Sequence, residues 1–100
     1  MLTRRLVLRT RAEQDLAEAA RWYEEQATGL GRDLLEEADV VIARVMRFPE
    51  SHPVRHRQFR RALLRRFPYG VFYAVEADEI VILAVLHLAQ DPSAIFGRLD

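Results

Sequence analysis

The chain has 100 residues, of which half are apolar, and its 15 basic side chains balance 15 acidic ones. That length supports one small hydrophobic core, so we expect a single domain over residues 1–100. Without cysteine, disulfides and thiolate metal sites are excluded, and we expect neither a metal nor another cofactor. The longest apolar run, Ile80–Leu86, is too short to span a bilayer, and no signal peptide is visible, so we expect a soluble cytoplasmic protein with no membrane contact.

The charges are separated along the chain although they sum to zero. Residues 13–39 contain nine acidic and two basic residues, whereas residues 51–70 contain six arginines, two histidines and no acid. We therefore expect a dipolar molecule. Every basic residue is arginine, which suits bidentate contacts with carboxylate or phosphate but also fits a GC-rich genome.

The first predicted elements are a short strand and a helix. Residues 5–9 alternate well enough for a strand, whose polar flanks favour the edge of a sheet. Thr10 and Glu13 have the T-x-x-E spacing of a capping box, which would start a helix. Trp22 borders the apolar stripe of this helix, where we expect it to be half-buried. The stripe consists of Ala12, Leu16, Ala19, Ala20, Tyr23 and Ala27.

A second helix is predicted from about Arg32 to Arg47, after a reversal marked by Gly29 and Gly31. The short connection makes the two helices an antiparallel hairpin. Residues 48–54 contain two prolines and predict a loop. Two adjacent acid pairs on the helices are interpreted as solvated side chains rather than acid/base pairs: Glu24 with Glu25, and Glu36 with Glu37.

Three consecutive strands are predicted in the second half, over Arg60–Phe67, Tyr69–Glu76 and Ile80–His87. The connections between them are too short for a crossover helix, so neighbouring strands pair antiparallel, as a meander. The tail, Ser93–Asp100, has apolar residues for one helical turn. The fold class is therefore α+β: an N-terminal strand, an antiparallel helical hairpin and a three-stranded antiparallel meander.

Both faces of the predicted meander are apolar. Strict alternation places Tyr73 on one face of the middle strand and Phe72 on the other, and the last strand is apolar at nearly every position. A sheet of this kind needs a cover on both sides. The helical hairpin can cover one side, and the tail is too short for the other, so apolar surface remains for a partner. A curled sheet or a homodimer are the alternatives.

Five short stretches, spread over nearly the whole chain, carry a family resemblance. They are R-A-E-Q-D-L at Arg11–Leu16, W-Y-E-E-Q at Trp22–Gln26, G-L-G at Gly29–Gly31, R-R-F-P-Y at Arg65–Tyr69, and A-V-L-H at Ala84–His87, followed by Asp91 and Pro92. In this order they resemble the RelE/ParE toxin superfamily, and its ParE branch in particular.

The resemblance implies a bacterial toxin of a type II toxin–antitoxin system, of the kind that serves plasmid stabilisation. In the ParE branch a ParD-like antitoxin neutralises the toxin in a hetero-oligomer, and the target is DNA gyrase. Contact with DNA is then only indirect, through the antitoxin. In the RelE branch the toxin is an endonuclease that cuts messenger RNA on the ribosome.

A nuclease would need a base, an acid and cations that hold the phosphate. The candidates for those roles are His87, Arg61, Arg65 and Tyr73. Members of the superfamily commonly carry arginines before the Asp-Pro pair, where this chain has Leu88, Ala89 and Gln90, and the lysines of RelE-type nucleases are absent. We therefore expect inhibition by binding and no catalytic residues. A ribosome-dependent nuclease and a nontoxic interaction module of the same fold are the alternatives.

Two sets of contact residues are expected. For the antitoxin, the arginines provide charge pairing and the aromatic residues apolar contact: Trp22, Arg57, Arg60, Arg61, Arg65, Phe72 and Tyr73. For inhibition of the target, the resemblance indicates His87, Gln90 and Phe96.

Overall fold

The computed structural model describes residues 3–100 and has five strands and three helices in that range. The α+β class, the N-terminal strand, the helical hairpin and the antiparallel meander are all confirmed. In chain order the elements are β1 (Arg5–Leu8), α1 (Thr10–Gln26), α2 (Leu30–Arg47), β2 (Val54–His56), β3 (Phe59–Leu63), β4 (Tyr69–Val75), β5 (Glu79–His87) and α3 (Pro92–Leu99).

The strands form one sheet in the order β1-β5-β4-β3-β2. β3, β4 and β5 are the predicted meander, and β1 lies at the edge, as expected, where it runs parallel to β5 from Arg5 opposite Glu79 to Leu8 opposite Ile82. β5 continues to His87, five residues past the last paired position. Within residues 3–100, no strand therefore lies beside the outer edge of its second half.

The predicted strand Arg60–Phe67 is wrong at its C-terminal end, because β3 stops at Leu63. The next backbone amides are taken by α2: the amide of Arg65 donates to Glu37, and the amide of Arg66 donates to both carboxylate oxygens of Glu37 at 3.2 Å. Glu37 is therefore not merely a solvated acid. Its hydrogen bonds attach residues 65 and 66 to α2, so the chain leaves the sheet there and β3 ends.

The loop predicted over residues 48–54 is followed by a strand that the sequence analysis missed. β2 pairs antiparallel with β3 through Val54 opposite Arg60 and His56 opposite Phe59. The connection is two residues long and begins at Arg57, whose φ is 52°. Two-residue hairpin turns need a positive φ at their first position, and arginine is not among the residues that signal one.

A bulge in β5 breaks the strict alternation expected for the last strand. Phe72 pairs with Ala84 whereas Tyr73 pairs with Ile82, so Leu83 is the extra residue. As a result Ile82 and Val85 both pack toward the helical hairpin. Strict alternation along the last strand would have placed Ile82 and Val85 on opposite faces.

The helical hairpin covers the face of the sheet that carries Tyr73. Its buried side chains form one core with β3, β4 and β5. Leu35 of α2 lies outside this core and is 40% exposed. The hairpin residues of this core are Ala12, Leu16, Ala19, Leu34, Ala38, Val41, Ile42 and Val45.

The tail covers much of the opposite face, which corrects the expectation that it is too short. Residues 92–99 form two turns of helix rather than one, and Ile95 and Leu99 pack against Phe72 and neighbouring residues of the sheet. Burying two such side chains contributes about 1.5–3 kcal/mol each. The sheet is thus sheltered on both sides, and a need to cover bare sheet no longer argues for a partner. No helix in residues 3–100 combines the length and hydropathy of a membrane-spanning segment.

The helix ends differ from the predicted caps. Thr10 is already helical, and no side chain caps the start of α1, so the proposed capping box is wrong. The carboxylate of Glu24 instead accepts from the amides of Gly29 at 2.9 Å and Gly31 at 3.0 Å, which caps the start of α2. Gly29 has a φ of 92°, and a Cβ on Gly31 would lie 2.5 Å from the carbonyl oxygen of Ala20. Glycine at residue 31 lets the two helices approach closely.

Candidate interaction site

The loop between β5 and α3, residues 88–91, lies between two clefts, and Gln90 lines both. The α1 cleft, with a volume of about 440 Å³, is lined by Asp15, Glu18, Ala19, Trp22, Tyr23, Tyr69, Val85, Leu86, His87, Gln90 and Arg98. The α3 cleft, of about 320 Å³, is lined by Arg55, Arg61, Phe72, Leu88, Gln90, Pro92, Ile95 and Phe96.

An ion pair between Asp15 and Arg98 forms one wall of the α1 cleft and joins α1 to α3. Arg98 donates from both terminal nitrogens to the two oxygens of Asp15, at 3.0 and 2.8 Å, and the two side chains are only 18% and 11% exposed. Asp15 also accepts from the amide of Val85 at 3.0 Å. Val85 lies on β5 past Ile82, the last residue of β5 that pairs with β1. Asp15 thus accepts the hydrogen bond of a backbone amide that a longer neighbouring strand would otherwise engage.

Aromatic side chains form another part of the lining of the α1 cleft. Tyr23 contacts Trp22, Phe67 and Tyr69 edge to face, and Tyr69 makes the same contact with His87 at 5.1 Å. Burial, and then the proximity of Tyr23, raises the pKa of Tyr69 above its usual value. Trp22, predicted to be half-buried, is 54% exposed. An aromatic surface of this kind offers large contact area at a low cost in side-chain entropy.

The α3 cleft is lined by both cationic and apolar side chains. Arg61 projects from β3 on the face covered by α3, and its Nε is buried without a hydrogen-bond acceptor in residues 3–100. Burial, followed by the nearby charge of Arg55, lowers the pKa of Arg61. Leu88, Ile95 and Phe96 provide the apolar part of the lining. The cleft therefore presents an incompletely satisfied guanidinium beside apolar surface.

The C-terminal end of α3 is held against the turn between β2 and β3. Oδ1 of Asp100 lies 2.7 Å from both Nε2 of His56 and Nε of Arg57. These hydrogen bonds, that from His56 foremost, lower the pKa of Asp100. The ring of His56 also stacks on Phe96, with centroids 4.5 Å apart. Arg57, predicted to contact an antitoxin, is thus already engaged within the chain.

The structure separates the predicted antitoxin residues instead of bringing them together. Trp22 lines the α1 cleft and Arg61 the α3 cleft, whereas Arg65 lies in a hollow beside α2. Arg60, which precedes Arg61 on β3 and points to the other face of the sheet, donates to the carbonyl of His52 at 2.7 Å and lines neither cleft.

Phe72 and Tyr73, both predicted as apolar contacts for an antitoxin, are buried in the structure. Phe72 is 1% and Tyr73 0% exposed, the first beneath α3 and the second beneath the helical hairpin. The three residues expected to act on a target are divided between the two clefts, with Gln90 in common. His87 and Gln90 line the α1 cleft, and Gln90 and Phe96 line the α3 cleft.

The four candidates for a nuclease do not form one constellation. Tyr73 and Arg61 lie on opposite faces of the sheet, and the Tyr73 hydroxyl donates to the carbonyl of Pro49 at 2.7 Å. Arg65 lies beside α2, and Nδ1 of His87 accepts from the amide of Ala89 at 3.0 Å. A phosphate could not contact all four side chains at once in this arrangement.

Sequence reasoning missed three residues of the site. Asp15 and Arg98 are 83 positions apart and belong to no local pattern. Arg55 was counted in the basic stretch without a role. A signal for α3 itself was present, because Asp91, Pro92 and Ser93 form an N-cap and first turn: the Asp91 carboxylate accepts from the Ser93 amide at 2.8 Å.

Comparison with known proteins identifies the family. The sequence model described as the ParE toxin of type II toxin–antitoxin systems, parDE, matches residues 6–92. The chain belongs to the ParE toxin family. Toxin ParE2 of Mycobacterium tuberculosis, in strains CDC 1551 and H37Rv, is 33% identical to it over 100 residues, which cover 99% of this chain and 95% of the relative.

A solved structure shares the fold of this ParE toxin. It is described as a chromosomal ParDE TA system from P. aeruginosa, and it superimposes with a TM-score of 0.77 at 17% identity, covering 86% of this chain and 97% of that one. The family match ends at Pro92, the first residue of α3. Gln90 and His87 therefore lie within the matched range, whereas Phe96 and Arg98 lie beyond it.

Proposed function

We propose that this ParE toxin is held inactive by a ParD-like antitoxin and that, when released, it binds and inhibits DNA gyrase. The observation that supports the proposal is that Gln90, in the loop of residues 88–91, lines one cleft with His87 and a second cleft with Phe96. Those three residues were expected to act on a target, and membership of the ParE family supports gyrase as that target. Both partners would place the toxin in the cytoplasm.

Inhibition by binding is favoured over cleavage of messenger RNA. The nuclease candidates are dispersed, and the Tyr73 hydroxyl is buried and hydrogen-bonded to Pro49. Mapping the ends of messenger RNA after induction of the toxin separates the two mechanisms. New ends inside codons would support a nuclease, whereas unchanged ends with relaxed plasmid DNA support gyrase as the target.

For the antitoxin, the contact set is narrower than the one expected from sequence. Trp22 and Arg61 remain as contact residues, one in each cleft, because both are accessible from the loop side. An antitoxin segment across residues 88–91 would cover the surface that we assign to gyrase. Neutralisation then follows from competition for one surface. Contact with DNA would be made by the antitoxin alone.

The test is the supercoiling of relaxed plasmid by purified gyrase with increasing amounts of toxin. Phe96→Ala removes an aromatic ring that is 37% exposed at the edge of the α3 cleft. Phe48→Ala is the matched control, since Phe48 is 54% exposed and lines neither cleft. We expect Phe96→Ala to need at least about tenfold more protein for half-inhibition, which corresponds to about 1.4 kcal/mol. Equal inhibition by the two variants would contradict the assignment of the surface.

A further inference from the structure

We propose that the α3 cleft binds one carboxylate side chain of the antitoxin, together with an apolar residue next to it in the antitoxin sequence. This inference rests on the proposed function, because it requires an antitoxin. It goes beyond that function by naming the chemical group recognised and the residue that recognises it. The receiving group is the guanidinium of Arg61, supported by Arg55.

The guanidinium of Arg61 has a buried donor, its Nε, without a hydrogen-bond acceptor in the described residues. In residues 3–100 no acceptor lies within hydrogen-bonding distance of its buried Nε, and the ion pairs of these residues involve neither Arg61 nor Arg55. A buried donor without an acceptor is costly, and more so when it carries charge. A carboxylate has two oxygens that match the fork of a guanidinium, so one such group would satisfy it.

Packing against β4 fixes the direction of the Arg61 side chain. A Cβ built on Gly70 would lie 3.1 Å from Cγ and from Cδ of Arg61, and 3.1 Å from Cδ2 of Leu88. The aliphatic stem of Arg61 therefore lies flat against the backbone of β4, held from the loop side by Leu88. Because the side chain is already ordered, binding would cost it little further entropy.

The charged side chains in and beside the α3 cleft are mostly basic. Arg57 is already paired with Asp100, so two cations remain free to act, Arg55 and Arg61. The carboxylates next to them are also engaged, Asp91 by Ser93 and Asp100 by His56 and Arg57. The three arginines Arg55, Arg57 and Arg61 outnumber Asp91 and Asp100 by one positive charge, which suits one carboxylate. A nucleic acid strand would need a longer cationic track along its phosphates.

The apolar part of the lining identifies what accompanies the carboxylate. Leu88, Ile95 and Phe96 line the cleft together with the arginines, and the volume of about 320 Å³ exceeds what a carboxylate alone would fill. An aliphatic or aromatic side chain adjacent to the acid would occupy the remainder and remove apolar surface from water. The chemistry therefore fits an acidic and apolar peptide segment, which a protein partner can supply.

The experiment measures the dissociation constant of the complex between the toxin and the antitoxin encoded beside it, for wild type and two single variants. Arg61→Gln removes the charge and keeps the packed stem. Arg32→Gln is the matched control, since Arg32 is exposed on α2 and lines neither cleft. We expect Arg61→Gln to raise the dissociation constant at least about tenfold, and Arg32→Gln to change it less than about twofold.

Gly70→Ala tests the geometry without changing a charge. Its Cβ would push Arg61 and Leu88 from their present positions, so affinity should fall by several fold. Thermal melts of each variant confirm that the chain is folded under the binding conditions. If Arg61→Gln and Arg32→Gln weaken binding equally, the effect is only long-range attraction, and the assignment of the cleft is overturned.

A double-mutant cycle identifies the group. Each acidic residue of the antitoxin is changed to its amide and combined with Arg61→Gln, and one of them should show a coupling of at least about fivefold. If no acidic residue of the antitoxin shows coupling, the inference is overturned. The proposed function still stands in that case, provided that the wild-type toxin binds the antitoxin. Failure of wild type to bind the antitoxin would overturn both. Competition by an oligonucleotide that depends on Arg61 would show that the occupant is nucleic acid.

Discussion

Replacement of Asp15 by alanine should destabilise the protein more than any other loss of an acidic side chain on α1. Asp15 accepts two hydrogen bonds from Arg98 and one from the amide of Val85, at 2.8 to 3.0 Å. It thereby joins α1, the end of β5 and α3. Alanine would leave a guanidinium that is only 18% exposed without its partner and a backbone amide without an acceptor.

The size of the effect follows from these contacts. Breaking a buried ion pair by removing one partner costs about 3–5 kcal/mol, and the residual exposure of Arg98 reduces that to about 2 kcal/mol. The unsatisfied amide of Val85 adds about 1 kcal/mol. The sum of about 3 kcal/mol corresponds to a fall in Tm on the order of 15 °C for a domain of this size.

Thermal and urea unfolding monitored by circular dichroism measure this change. Glu18→Ala is the control, because Glu18 lies on the same helix and is exposed, and its free energy of unfolding should change by less than about 0.5 kcal/mol. Combining Asp15→Ala with Arg98→Met gives the coupling between the two side chains. The reasoning is refuted if Asp15→Ala melts within about 2 °C of Glu18→Ala, since a ΔΔG near 0.5 kcal/mol would leave no room for the pair.

Three further predictions concern packing and pH. Gly31→Ala should lower the free energy of unfolding by about 1–3 kcal/mol, because its Cβ would lie 2.5 Å from the carbonyl oxygen of Ala20. Gly97→Ala, in a helix with open space around that position, should leave stability unchanged or raise it. Equal Tm values for the two variants would contradict this. Ile95→Ala should cost about 2–4 kcal/mol in urea unfolding, and a loss under about 1 kcal/mol would show that α3 does not cover the sheet. Burial, followed by Arg44 and Arg60, lowers the pKa of His52, so the unfolded chain binds the proton more readily. The free energy of unfolding therefore includes the whole contribution of the neutral His52 above about pH 6.5. That contribution is lost as the pH falls through the folded-state pKa. Wild type should lose more stability than His52→Gln between pH 7.5 and 5, and parallel curves would contradict this.

The sequence predicted those parts of the fold that depend on local pattern. Apolar runs and short connections predicted β4, β5 and the helical hairpin, since burial and turn length leave few other arrangements for them. The end of β3 was not predictable in this way, because it depends on a carboxylate 28 positions earlier in the chain, that of Glu37. β2 was missed because it is only three residues long.

The site was predictable only in part, and for a similar reason. His87, Gln90 and Phe96 are expected on resemblance to act on a target, and the structure places His87 and Phe96 in different clefts that share Gln90. The arginines were expected to act together because they are close in sequence. Successive residues of a strand point to opposite faces, however, so Arg60 and Arg61 are separated by the sheet itself.

The sheltered sheet changes the physical account of partner binding. α3 already buries Phe72 and its neighbours, so an antitoxin would not be required to cover bare sheet. Recognition would depend instead on the exposed Trp22, on the edges of the two clefts and on the unsatisfied Arg61. Such a toxin should be a folded monomer before it meets either partner.

The most direct test of the account is gyrase supercoiling measured with a fixed, inhibitory amount of toxin and increasing amounts of antitoxin. We predict that toxin alone blocks supercoiling and that activity returns as the antitoxin reaches one equivalent. Supercoiling that proceeds unchanged at a large excess of toxin, with the protein shown to be folded, would contradict the account.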